Sequence, residues 1–264
     1  MPHGLKGICA GDDLSFSIMG LYNKRKGGSC VRQTRISSVS ALVAGRDVIT
    51  VDGVGASGKS ALARLLAKRL GYGHLNSGLL YRAAGWIVAR AGVNANDPEG
   101  VMEELSRHSV VLDKDADSRT VVVIDGVVCG NELLSSEVSL AASLVARYQS
   151  VRDTFTALQR AAFAPAGVVA EGRDMGTIIF PEARVKFFIN ARLDVRAQRR
   201  YDQLKGTPQA STLEEISRDL AARDARDADR TVAPAKPAPG AVIVDNSVMP
   251  LDDVVEAMYR RVIE

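Results

Sequence analysis

Eight consecutive residues constrain the fold of this chain more than any other feature. Gly53, Val54, Gly55, Ala56, Ser57, Gly58, Lys59 and Ser60 spell GxxxxGK[ST], and they stand between the apolar run Asp47-Val48-Ile49-Thr50-Val51-Asp52 and a stretch of helical periodicity from about Ser60 to Leu70. A strand that turns through glycines into a helix aims several backbone N–H groups at one point, where the helix N-terminus adds partial positive charge. Lys59 is placed to bridge the β- and γ-phosphates of a nucleotide, and the Ser60 hydroxyl to take one coordination site of Mg²⁺. The motif therefore predicts nucleotide phosphate binding on an α/β scaffold.

The rest of the chain agrees. Apolar runs at 167–171 (GVVAE), 185–190 (VKFFIN) and 241–245 (AVIVD) alternate with helical stretches, the pattern of a parallel sheet. Between about 94 and 135 the pattern becomes VVLD, TVVVIDG and VV, close in sequence with Asp/Gly turns, which predicts a small antiparallel insert. The Pro-rich stretch at 233–240 (APAKPAPG) can be neither helix nor central strand and leads into the final strand.

Composition excludes other classes. At 264 residues, 46% hydrophobic and 25% charged, the chain is ordinary globular material, and no apolar run approaches the roughly 18 residues of a membrane span. Residues 1–45 carry six basic side chains against Asp12 and Asp13, so a net +4 of the chain's +3 sits there and −1 on the remainder. A body without net positive charge gives little support for nucleic-acid binding. We read 1–45 as an N-terminal extension, disordered or targeting, and 46–264 as the folded domain. Cys9, Cys30 and Cys129 form no CxxC pair, which points to a reducing, cytoplasmic compartment unless the extension addresses an organelle.

A GTPase would need an NKxD guanine reader downstream of the loop, but the Asn23-Lys24 pair lies upstream and runs into Arg25-Lys26. Nor does an apolar run end in Asp-Glu, as in motor-type ATPases. A small-molecule kinase remains, and such an enzyme must surround several phosphates with arginines. Three segments supply them: Asn76-Ser77-Gly78-Leu79-Leu80-Tyr81-Arg82, Glu171-Gly172-Arg173-Asp174-Met175-Gly176, and the run RDARDADR from Arg223 to Arg230.

With AASLVARYQSVR at 141–152 and GRDMGTIIFP at 172–181, these segments make the chain, from about Val48 onward, resemble the bacterial-type cytidylate kinases of the nucleoside monophosphate kinase family. GRDMGT followed by FP is the most family-specific signature. The resemblance implies a three-layer core of the P-loop NTPase type (46–75, 161–195 and 232–264), a monophosphate-binding insert (76–160) holding the antiparallel sheet, and a helical lid (196–231). It also implies transfer of the γ-phosphate of Mg-ATP to CMP or dCMP by a monomer. Ser77, Arg82 and Arg173 would meet the acceptor phosphate, while Ser143, Arg152 and Asp174 would read cytosine. Arg223, Asp227 and Arg230 would hold ribose and phosphate, and Arg199 would clamp the donor. Asn76 departs from the family pattern, which has an acid before Ser-Gly. The competing readings are a kinase for another acceptor such as UMP, and a nucleotide-binding regulatory module without transfer.

Each cluster also has a plainer reading. Arg223, Arg226, Asp227 and Arg230 fall at i, i+3, i+4 and i+7, the spacing of a solvated, salt-bridged helix face, and Arg196, Arg199 and Arg200 invite the same reading. His3, His74 and His108 have no partner at ligand or triad spacing and read as solvent or core histidines. Tyr81 and Trp86 read as packing residues.

Overall fold

The computed structural model describes residues 47–115, 120–162, 167–207 and 210–264, so the N-terminal extension, with His3, Cys9 and Cys30, lies outside the described residues. Strand β1 (Val48–Gly53) is buried at all six positions, Val48, Ile49 and Val51 supplying the apolar surface and Asp52 taking the N–H groups of Met175 and Gly176 at 2.8 Å each. It pairs in parallel with β6 (Val168–Gly172) on one side and β7 (Val185–Asn190) on the other. Strands β2 (Gly73–Asn76) and β8 (Val242–Asp245) complete a five-stranded parallel sheet in the order β2-β6-β1-β7-β8. Four of these strands coincide with the apolar runs in the sequence. The fifth, β2, reads Gly-His-Leu-Asn, and its edge position excuses it from the apolar pattern.

Helices α1 (Lys59–Leu70) and α8 (Leu251–Ile263) cover one face, packing Leu62, Leu66, Val254 and Met258 against Ile49 and Val51. On a second cluster, Leu75, Ala170, Met175 and Phe180 close around Val48. Full burial of a side chain the size of Leu or Phe is worth roughly 1.5–3 kcal/mol, so these two layers fix the sheet and with it the loops at its carboxyl edge.

The insert between β2 and β6 has a core of its own. It comprises α2 (Gly78–Arg90), α3 (Pro98–Ser106), the antiparallel strands β3 (Val110–Lys114), β4 (Thr120–Ile124) and β5 (Val127–Cys129), then α4 (Ser136–Val145) and α5 (Gln149–Ala161). The β4–β5 turn is Asp125-Gly126 with φ 51° and 83°, the left-handed pair that a two-residue hairpin requires. Leu80, Val88, Val110, Val122 and Phe155 meet inside. Past β7, α6 (Leu193–Leu204) and α7 (Leu213–Ala228) pack through Ala197, Leu204, Ile216 and Leu220, and Thr212 with Glu215 forms a capping box that starts α7. The β1, β2 and β6 strands end side by side, so the loops leaving them face one crevice, the usual ligand position in an open parallel sheet.

Candidate active site

Gly58, at φ 88°, ends the phosphate loop in a left-handed turn, and a Cβ there would come within 2.5 Å of the Asn246 amide nitrogen. That amide donates to the Ser57 carbonyl at 2.7 Å, so the loop is held from behind by the β8–α8 connection. Lys59 Nζ donates to the Val54 carbonyl at 3.1 Å and thus lies over the loop. Burial, then the nearby Arg173, pushes the Lys59 amine down to about 7.

Arg196, for which the sequence offered only a surface reading, is buried and donates to the carbonyls of Gly55 at 3.1 Å and Ala191 at 2.8 Å. It also pairs with Asp224, whose other oxygen accepts from the Gly55 N–H at 3.2 Å. One residue from each of α6 and α7 therefore grips the phosphate loop. Arg199 donates to Asn246 O at 2.7 Å and Ser57 O at 3.4 Å, on the rear of the same loop.

In front of the loop opens a cavity of about 710 Å³. Lys59, Arg82, Arg152, Arg173, Arg200, Arg223, Arg226 and Arg230 line it, against the acids Glu137, Glu171, Asp174, Asp219 and Asp227. The positive excess belongs to a site built for anions. Burial, then Arg223 and its neighbours, brings Arg82 down to about 9, and burial with Arg173 brings Arg223 down to about 10. Burial first and mutual repulsion second disfavour their charged forms, and an anion among them would offset both.

Two buried ionic groups organise the far end. Asp227, 2% exposed, receives Arg173 Nε at 3.1 Å and the Ser143 hydroxyl at 3.0 Å, with Arg223 Nε at 3.8 Å and Arg230 also paired to it. Burial works against its charge, but Arg173, Arg230 and Arg223 outweigh it and hold the carboxyl below its usual range. The run is therefore no solvated face. Nor does one helix carry it, because α7 stops at Ala228 and Arg230 reaches Asp227 from the turn beyond. The second group is the ion pair of Arg152 with Asp174, both buried, in which Arg152 also donates to Ala146 O at 3.0 Å and lies over the Tyr81 ring, 5.4 Å from its centroid. Burial pushes the Asp174 carboxyl up, against the pull of Arg152. Tyr81 packs edge-on to Phe155, and Trp86 packs against the insert core, as read from their spacing.

Arg82 donates to Leu133 O at 2.6 Å and Ser139 Oγ at 2.9 Å, and Arg200 to Leu134 O at 2.7 Å, so two arginines, one from α2 and one from α6, meet one turn of the insert. The profile of the cytidylate kinase family matches residues 49–264. Curated relatives agree: a cytidylate kinase of Geobacter sp. (strain M21) is 37% identical over 217 residues, covering 82% of this chain and 93% of that protein. That of Cupriavidus pinatubonensis (strain JMP 134 / LMG 1197) is 41% identical over 208 residues, covering 79% and 92%. This chain belongs to the cytidylate kinase family.

In this nucleoside monophosphate kinase fold the structure brings to the phosphate loop a residue that sequence reasoning left without a role. Glu171, 1% exposed, is the penultimate residue of β6 and pairs in register with Val51 of β1, just before the phosphate loop. Its Oε2 accepts from the Ser60 hydroxyl at 2.6 Å, and its Oε1 lies 3.0 Å from His74 Nε2. Its carbonyl takes both the N–H and the hydroxyl of Ser77, at 3.1 and 2.8 Å. Ser77 thus spends its proton on the backbone and offers the cavity lone pairs and the N-terminus of α2. Burial alone would raise Glu171, but His74, Lys59 and Ser60 more than offset it and the carboxyl sits low. His74 is thus a core histidine with a carboxylate partner 97 residues away, whereas the part-exposed His108 sits between Asp125 (2.6 Å) and Glu104 (3.3 Å), the latter at helical i,i+4 spacing. The Asn76 side chain borders the cavity while its N–H donates to Thr120 Oγ1 at 3.1 Å, tying β2 to the insert sheet.

Proposed function

We propose that the cavity takes CMP or dCMP at its Arg152–Asp174 end and the phosphates of Mg-ATP at the loop, and that an acceptor phosphate oxygen attacks the γ-phosphorus in line as the bond to ADP breaks. One observation carries this reading: the phosphate loop and the Asp227 arginine cluster line a single cavity with the Arg152–Asp174 pair. Cytosine presents an N4 amino donor beside N3 and O2 acceptors, and a carboxylate next to a guanidinium is the complementary set. Arg152 occupies Asp174 Oδ2, which leaves Oδ1 for the amino group.

Arg82, Arg173 and Arg230 neutralise and orient the acceptor phosphate, with Ser77 at the helix N-terminus. Arg223 and Asp227 bear on the ribose side, and Ser143, whose hydroxyl donates to Asp227, reads the base with Arg152 and Asp174. Lys59 spans the outer donor phosphates, the N–H groups of Val54 to Ser60 surround them, and Arg199 holds the donor side of the loop. Positioning and charge suffice for such a transfer, so no covalent intermediate is required.

The oxygen donors suit a hard cation: Ser60 already gives its proton to Glu171, freeing its lone pairs, and among the described residues no group of three or more His, Cys, Asp or Glu forms a closed metal cage. Magnesium keeps most of its ligands as water and substrate phosphate, so Ser60, backed by Glu171, is the protein's share. When bound, the ion offsets charge on the β- and γ-phosphate oxygens. The proposed working unit is a monomer. The proposed compartment is the cytoplasm, on the cysteine usage above.

The test is ADP production measured with a panel of monophosphates at saturating Mg-ATP. Turnover stimulated by CMP and dCMP and far less by UMP is expected. Preference for another acceptor would move the reading to a different kinase, and silence with all of them would leave a regulatory nucleotide-binding module.

A further inference from the structure

His74 stands apart from the machinery assigned above. It is buried on β2, its Nε2 faces Glu171 Oε1 at 3.0 Å, and its Nδ1 has no hydrogen-bond partner among the described residues. The other Glu171 oxygen holds the Ser60 hydroxyl at 2.6 Å. A serine can give a cation a well-aimed lone pair only if its proton points elsewhere, and here the proton points at Glu171. A carboxylate shared in this way keeps its orientation only if its second oxygen is also satisfied, since a buried acceptor without a donor rotates or takes up a proton.

Two alternative partners for that second oxygen fail. Asn76, the β2 residue paired in register with Glu171, has its N–H on Thr120, and the nearby Lys59 Nζ donates to the Val54 carbonyl. The neighbouring Thr120 hydroxyl donates to the His74 carbonyl, which anchors the histidine's backbone to the insert sheet. His74 is thus fixed through its main chain on one side while its ring donates on the other, and its bare Nδ1 leaves Nε2 as the only ring atom with a partner.

We infer that His74 is a positioning residue, which by donating from Nε2 to Glu171 Oε1 keeps the Glu171 carboxylate aimed at Ser60 and so presents the Ser60 oxygen to the divalent cation of the donor nucleotide. The chain His74–Glu171–Ser60 runs across three adjacent parts of the carboxyl edge, β2, β6 and the phosphate loop. Groups that orient a metal's direct ligands typically govern metal affinity or activity by ~10–100-fold, which sets the scale expected here. This inference rests on reading Ser60 as a ligand of that cation.

The experiment is calorimetric titration of the full-length protein with ATP, once with excess Mg²⁺ and once with chelator, giving the Mg²⁺-dependent gain in ATP affinity. Ser60→Ala tests the underlying reading and should abolish the gain. His74→Leu, which keeps bulk and removes the donor, should reduce the gain by roughly tenfold and lower kcat by a similar factor, with the KM for CMP within about twofold of the parent. His74→Gln, whose terminal amide reaches the Nε2 position, should restore both, while His74→Asn, whose amide ends near Nδ1, should not. The Gln and Asn pair decides the matter even if the Leu protein does not fold. A gain left intact in His74→Leu, or equal behaviour of Gln and Asn, overturns the positioning role. An intact gain in Ser60→Ala overturns the reading beneath it instead.

Discussion

Replacing Asp227 by Asn changes the shape of that side chain hardly at all, yet it removes the one negative charge that three guanidiniums share. Arg173, Arg223 and Arg230 all pair with this carboxylate, which is 2% exposed. Asn keeps an acceptor for the Ser143 hydroxyl but presents an NH₂ group to one of the arginines. Breaking a buried ion pair by removing one partner costs about 3–5 kcal/mol, because the remaining charge stays buried and uncompensated. The loss should lie in that range, and for a domain of this size it corresponds to a fall of roughly 6–20 °C in Tm. The cationic cluster then loses the counter-charge paired to all three arginines, with Asp224 and Asp174 left as more remote ones, so inorganic phosphate should stabilise the variant more than the parent. The assay is thermal and urea unfolding of both proteins with and without phosphate, with Asp194→Asn, which loses only an exposed pair to Arg192 and first-turn backbone contacts of α6, as a control expected to shift Tm far less than Asp227→Asn does. A loss below about 1 kcal/mol, the range of a surface pair, would refute the reasoning.

Three further outcomes are expected. Lys59 sits at about 7 in the empty protein, and a bound phosphate restores its ordinary value, so ATP binding at pH 8 should take up a proton. Because the folded value is the depressed one, this group's contribution to stability is fully present above pH 10.5 and is lost as pH falls through about 7. Calorimetry in two buffers of different ionisation enthalpy measures the uptake, which Lys59→Met should abolish. Arg230→Ala should lower turnover by well over tenfold, about 1.4 kcal/mol or more of transition-state stabilisation, and parent-like turnover in the coupled assay would return Arg230 to a structural role. Gly85→Ala puts a Cβ 2.6 Å from the Ala142 backbone nitrogen, forcing α2 off α4, and urea unfolding should register a loss of roughly 1–3 kcal/mol.

Much of this molecule is legible in its sequence for identifiable reasons. The phosphate loop is local, so its eight residues carry their own geometry, and strands buried on both faces leave mainly apolar runs, interrupted in β1 by Thr50 and Asp52 and in β6 by Glu171. Strand β2 escaped because an edge strand of four residues with Gly, His and Asn needs no such run. Arg196 and Asp224 escaped because 28 residues separate two groups that meet only when α6 and α7 pack. The solvated reading of the Arg223–Arg230 run failed for a related reason: helical spacing says which side chains share a face, and only the tertiary fold says whether that face meets water. Glu171 was visible in the GRDMG segment, but its bonds to His74 and Ser60 span 97 and 111 residues.

The assignment of cytosine recognition to the Arg152–Asp174 pair is the claim on which substrate choice depends. An ionised Asp174 accepts from the N4 amino group of cytosine but meets the O4 of uracil acceptor to acceptor, a buried mismatch that favours CMP over UMP by roughly a hundredfold or more in kcat/KM. Asp174→Asn offers O4 a donor, and it also leaves Arg152 without its counter-charge, so activity should fall for both substrates while the ratio moves. The decisive measurement is the CMP to UMP ratio of kcat/KM in the parent and in Asp174→Asn. A ratio that drops by tenfold or more is expected, and an unchanged ratio would place base recognition elsewhere in the cavity.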